Sequence, residues 1–204
     1  MNYLLIILIP TIYFLISWNF PWDKIQFNSS ISVTYIFDLL FTVIIYLSFK
    51  FKNITGNLNI KGTAVRSLTS IIISSICIFI ISKTSLISPF KFIEHQALQL
   101  LILAPILEEG VFRGAFMGVF LRLRLRRDIS VTLSTMLFSL SHATGFWFLP
   151  SEFHSFIVFQ MFYTIILGAL CSKSRLKTLG ILEPIIIHFL FNLVFYVGVK
   201  FFTI

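Results

Sequence analysis

Three short groups of residues have the types and the spacing to do chemistry. Glu108 and Glu109 stand side by side with Arg113 four positions beyond, Phe138 precedes His142 by four, and His188 precedes Asn192 by four. All three groups interrupt strongly apolar sequence. An ionised side chain at a bilayer centre costs about 2.5–3.5 kcal/mol, so such groups need partners and a reason to be there. Glu109 and Arg113 share a helix face at i, i+4 spacing and can form an ion pair, while Glu108 lies about 100° round the helix. One carboxylate is thereby braced and the other is left able to take or give a proton. His142 can shuttle protons near neutral pH. His188 and Asn192 share a face and can donate to one point, as an oxyanion at a carbonyl carbon requires.

Each group alone also has a structural reading: an intramembrane ion pair with a spare glutamate, a packing histidine, and helix–helix hydrogen bonding through His and Asn. Together they read as a hydrolytic site in which Glu108 and His142 activate water and His188 and Asn192 hold the oxyanion. Glu109, Arg113 and Phe138 support it.

The elements that must position these groups are membrane helices. The chain has 204 residues, of which 57% are hydrophobic and 12% charged, with 25 Phe, a composition far from that of a soluble domain. Apolar runs near 3–19, 31–49, 67–88, 129–149, 155–172 and 181–203 read as long enough to cross the ~30 Å hydrocarbon layer, and they lack the alternation of a membrane barrel. The first 19 residues have no basic n-region or small-residue cleavage site and read as a retained span. Between 89 and 127 a single helix would be ~58 Å long. That predicts a break at Pro105, with a polar-sided interfacial segment before it (Lys91, Glu94, His95, Gln96, Gln99) and a span over 105–122 carrying the carboxylates. The expected fold is an all-α, polytopic membrane helix bundle of about seven (six to eight) transmembrane helices.

The net charge of +8 does not indicate nucleic acid, because the basic residues fall in short clusters between apolar runs. Lys50, Lys52, Lys61 and Arg66 form one cluster, Arg122, Arg124, Arg126 and Arg127 a second, and Lys173, Arg175 and Lys177 a third. The intervening loops are poorer, with Lys24, then Lys83 and Lys91, then none across 143–154. Since cytoplasmic loops carry the excess of Lys and Arg, this alternation places the N-terminus in the cytoplasm and the chain as a multi-pass protein in the cell membrane. Cys77 and Cys171 sit in apolar runs as small hydrophobes. Asp38 reads as a capped or interface-facing carboxylate within the second span, with a proton or ion site as the alternative, His95 and His154 carry no assigned role, and Trp18, Trp22 and Trp147 read as interfacial anchors.

The three groups resemble the motifs of the CAAX protease and bacteriocin-processing family (CPBP), also called the Abi or type II CAAX prenyl endopeptidase family. Its Glu-Glu-x-x-x-Arg, Phe-x-x-x-His and His-x-x-x-Asn patterns appear in order as Glu108-Glu109-Arg113, Phe138-His142 and His188-Asn192. Ala104-Pro105, Phe112-Arg113-Gly114 and Pro184 with three following isoleucines are similar in context, whereas Glu183 replaces a more usual apolar residue and bears on local pKa values or substrate access. The resemblance covers 100–195 as a catalytic core, with 1–95 as generic spans of one membrane domain, 1–204. It implies an intramembrane endopeptidase acting on a membrane-associated or hydrophobic peptide, with Glu108 and His142 activating water. Bacteriocin self-immunity and peptide maturation are the settings that bacterial members suggest. The alternative is a non-proteolytic membrane partner or immunity protein that binds a sensor kinase or bacteriocin receptor. Metal-free water activation is favoured, because Asn192 is a poor metal ligand and no His-Glu-x-x-His pattern occurs. A divalent metal such as zinc, held by Glu108, His142 and His188, is the alternative.

Overall fold

The computed structural model describes residues 4–19, 33–51, 54–89 and 97–202. Every regular element among them is helical: α1 (Leu4–Asn19), α2 (Val33–Ser48), α3 (Ile60–Lys83), α4 (97–122), α5 (Arg127–Ser141), α6 (His154–Thr178) and α7 (Leu182–Phe202). Three stretches, Ile60–Lys83, Ser151–Thr178 and Leu182–Phe201, are long and apolar enough to cross a membrane. Helices α1 and α2 are apolar but have 16 residues each, about 24 Å at 1.5 Å per residue and short of a full crossing. The run expected over 129–149 ends its α-helix at Ser141, beyond which come single turns at His142–Thr144 and Gly145–Phe148.

The break expected at Pro105 does not occur. Helix α4 runs through the proline because two π-helical segments, Gln99–Leu103 and Gly110–Phe116, reset its hydrogen-bond ladder. Ahead of Pro105 the ladder is already one residue wide, with the Ala104 N–H donating to the Gln99 carbonyl. The π form pairs residues five apart and is found mostly as short insertions at functional sites. Of the polar segment expected before the break, Lys91, Glu94, His95 and Gln96 lie outside the described residues, as does Trp22.

Serine hydroxyls tie the apolar helices together. Ser70 and Ser74 on α3 donate to the Ile187 and Phe191 carbonyls on α7, each at 2.8 Å, so those two helices run parallel. Ser134 on α5 reaches the Phe112 carbonyl, and Ser139 the Met161 carbonyl on α6, also at 2.8 Å. Without a hydrophobic drive between helices in lipid, packing and such bonds hold a bundle, at about 0.6 kcal/mol per bond. Helix α2 and the turn after it seat against the Gly110, Gly114 and Gly118 stripe of α4 through Thr42, Tyr46 and Phe51. At one end of the bundle the 54–57 loop lies on the turn before α7, with Ile181 N–H bonded to the Ile54 carbonyl at 2.8 Å and Asn57 N–H to that of Thr178 at 2.7 Å. The approach is so close that a Cβ on Gly180 would collide with the Thr55 and Gly56 backbone.

Candidate active site

Helix α4 carries both glutamates into the bundle at the junction between an α-helical turn and a π segment. Glu109 and Arg113 have no exposed surface, and Arg113 Nη1 donates to Glu109 Oε1 at 3.0 Å. Arg113 Nη2 donates to the Gly168 carbonyl on α6 at 3.1 Å, and the guanidinium carbon lies 4.4 Å from the centre of the Phe138 ring. The arginine thus meets an anion, a carbonyl and a π face while its buried Nε has no hydrogen-bond partner, and Gly168 is small because that contact leaves no room for a side chain. A Cβ there would stand 3.1 Å from Arg113 Nη2 and 3.2 Å from the Phe138 ring.

Glu109 Oε1 also accepts from His188 Nδ1 at 2.9 Å. This commits the Nδ1 proton of His188 to α4 and turns Nε2 toward Glu108, whose Oε2 is 3.7 Å away. Glu108 is different from its neighbour, since its side chain keeps 28% of its surface accessible. His142, at the end of α5, directs Nδ1 at the Phe138 carbonyl at 3.0 Å. A carbonyl can only accept, so Nδ1 carries the hydrogen and Nε2 is left with its lone pair. The Phe138 ring touches both histidines edge to face, with centroids 5.1 Å from His142 and 5.6 Å from His188. One aromatic ring therefore fixes the spacing of two imidazoles and a guanidinium.

Asn192, one turn beyond His188, donates Nδ2 to the Leu100 carbonyl at 2.9 Å. That acceptor is free for a reason legible in the chain. In the wide register set by Ala104 bonding to Gln99, the next bond to Leu100 belongs to residue 105, and proline has no N–H. The Asn192 amide fills this gap with one hydrogen and keeps the other.

Glu108, His142, His188 and Asn192, with Phe138, line a single cavity of about 550 Å³. The structure thus draws all four into one space from three helices, α4, α5 and α7, and places Glu109 and Arg113 behind its wall. Sequence reasoning missed Gln160, Tyr163 and Thr164, which line the same cavity from α6; three hydrogen-bonding side chains clustered in an apolar span are the signal that could have found them. It also missed the work of Glu183. That carboxylate faces away from the cavity and is fully buried, paired with Arg66 Nε and accepting from Thr63 Oγ1 at 2.5 Å and Ser174 Oγ at 2.6 Å. It joins α3, α6 and α7, and does not bear on access to the site. Asp38 accepts from the Tyr13 hydroxyl at 2.9 Å, and Trp18 meets Trp147 with ring centroids 5.4 Å apart.

The metal alternative finds no matching geometry. Among the described residues no three His, Cys, Asp or Glu side chains gather as a cation-binding group.

The model of the family described as Type II CAAX prenyl endopeptidase Rce1-like matches residues 91–194. The chain belongs to this family. The match takes in every residue of the three motifs and half of the chain, and it supports a membrane protease of the CAAX endopeptidase type. No curated protein and no solved structure gives a significant match. In this Rce1-like chain the part before the match contributes Tyr35 of α2 and Pro89, beyond α3, to the cavity wall and the Ser70 and Ser74 bonds of α3 to the back of α7.

Proposed function

We propose that this Rce1-like protein is an intramembrane endopeptidase that hydrolyses a peptide bond in a membrane-associated or hydrophobic peptide. The observation that carries the reading is the sharing of one cavity by Glu108, His142, His188 and Asn192, with the Glu109–Arg113 pair buried behind them. Glu108 takes a proton from a water molecule as its oxygen attacks the scissile carbonyl carbon, and His142 Nε2 orients that water and shares the proton transfer. The carbonyl oxygen becomes an oxyanion facing the second Nδ2 hydrogen of Asn192 and the Nε2 edge of His188, which donates when the ring is doubly protonated between Glu108 and Glu109. Collapse of the tetrahedral species breaks the C–N bond as the proton held by Glu108 or His142 passes to the leaving amine.

The test compares wild type with Glu108→Ala and His142→Ala on candidate hydrophobic peptides, with folding checked by thermal unfolding in detergent. Both variants are expected to lose cleavage by at least a hundredfold, the scale of a lost general acid–base group. Undiminished cleavage in both overturns the assignment. Where an immunity phenotype exists, protection that survives in the cleavage-dead variants favours a partner-binding role instead.

A further inference from the structure

The bundle has two chemically unlike ends. At one, α2, α4 and α6 finish and α3, α5 and α7 begin, and there Lys50, Lys61 and Arg66 join the basic residues of the 122–127 and 173–177 segments. At the other end the described basic residues are Lys83 and Lys200. By the bias of Lys and Arg toward the cytoplasm, the cation-poor end faces away from it.

The cavity is not midway between these ends. Along α7 its lining runs from His188 through Asn192 to Val199, and along α6 from Leu167 back to Gln160. Along α4 it runs from Glu108 back to Gln99. On every one of these helices the lining extends from the middle toward the cation-poor end. Toward the basic end the floor is closed by Glu109 and Arg113, both fully buried, and by Phe112, Phe116 and Phe120, which are 2%, 0% and 1% exposed. Below that floor the Arg66–Glu183 pair locks α3 to α7.

We propose that the cavity opens on the non-cytoplasmic side and takes an uncharged, apolar peptide segment held in the outer half of the bilayer. The substrate part rests on the hydrolytic reading above; the direction of opening does not. From His188 to Val199 the α7 wall is about 16 Å long at 1.5 Å per residue, room for about five residues of extended peptide at 3.3 Å each. Phe191, Phe195, Leu167 and Val199 offer apolar contact, while Gln99 and Gln160 can meet peptide N–H and C=O groups. No Lys, Arg or Asp lines the cavity among the described residues, and Glu108, which does, would repel an acidic side chain whose desolvation is already costly.

Cysteine labelling in sealed vesicles tests the opening without any need for activity. Gln160→Cys and Gln99→Cys place thiols on two different cavity walls, and Lys177→Cys reports the basic end. Native Cys77 and Cys171 are buried, and the wild type sets the background. With a membrane-impermeant maleimide, both cavity cysteines should label at least tenfold faster in right-side-out than in inside-out vesicles, and Lys177→Cys the reverse. Labelling of the cavity cysteines from the same side as Lys177→Cys, or equally from both sides, overturns the proposal. A second arm adds an N-acylated, uncharged fluorogenic peptide to wild-type vesicles of each orientation. Cleavage in right-side-out vesicles is expected, and cleavage confined to inside-out vesicles overturns the proposal. Absence of cleavage in both, with outward labelling intact, overturns the hydrolytic reading and the substrate assignment while upholding the opening.

Discussion

Replacing Pro105 with alanine should make this protein more stable and less active. A proline inside a helix costs about 3 kcal/mol relative to alanine. Part of that is already recovered here, because the Leu100 carbonyl that Pro105 leaves free accepts from Asn192 at 2.9 Å, a bond with a net value of about 1 kcal/mol. Alanine at 105 supplies the missing N–H, which completes the α4 ladder at Leu100 and competes with Asn192. The net gain should be about 1–2 kcal/mol, or roughly 2–8 °C in melting temperature at 2–4 °C per kcal/mol for a chain of this size. The catalytic effect runs the other way. Removal of an oxyanion donor costs about 10²–10³ in kcat, and a donor that loses its tether but remains in place should cost less, about tenfold, with KM little changed. The assay is a cycle of wild type, Pro105→Ala, Asn192→Ala and the double variant, each measured for kcat, KM and unfolding temperature in the same detergent. If the proline acts through Asn192, then Pro105→Ala has no further effect on kcat once Asn192 is alanine. Multiplicative losses in the double variant, or a fall in both stability and activity in Pro105→Ala, would refute the reasoning.

Arg113→Met should destabilise the fold by about 3–5 kcal/mol, because it leaves the fully buried Glu109 without its cation; thermal unfolding with and without the companion Glu109→Gln change reads this, and the pair should recover much of the loss. Gly168→Ala pushes a methyl to 3.1 Å from Arg113 Nη2 and 3.2 Å from the Phe138 ring. Overpacking of about 1–3 kcal/mol is expected, together with a lower kcat, since both histidines lean on that ring. Glu183→Ala should cost about 3 kcal/mol by leaving Arg66 unpaired and cutting the link between α3, α6 and α7, yet at a temperature where it is folded its kcat should match wild type. Treatment with a chelator should leave peptide cleavage unchanged, and loss of activity restored by one specific divalent ion would reverse that expectation.

The sequence by itself determined the class of the fold and the identity of the motif residues. Apolar length and the absence of alternation specify membrane helices, because lipid offers backbone groups no partner outside the helix. Spacing of four put Glu109 with Arg113 and His188 with Asn192 on common faces, since that geometry is local to one helix. The alternation of basic loops likewise follows from position along the chain. Only the tertiary structure decided what crosses between helices. That the Phe138 ring also meets His188 and Arg113, that Glu109 holds His188 at 2.9 Å, and that Glu183 serves the opposite end of α7 are contacts between residues far apart in the chain. No periodicity encodes them. Pro105 is the clearest case: proline chemistry alone predicts a broken helix, and the helix continues because a π register upstream and an amide from α7 together absorb the missing donor.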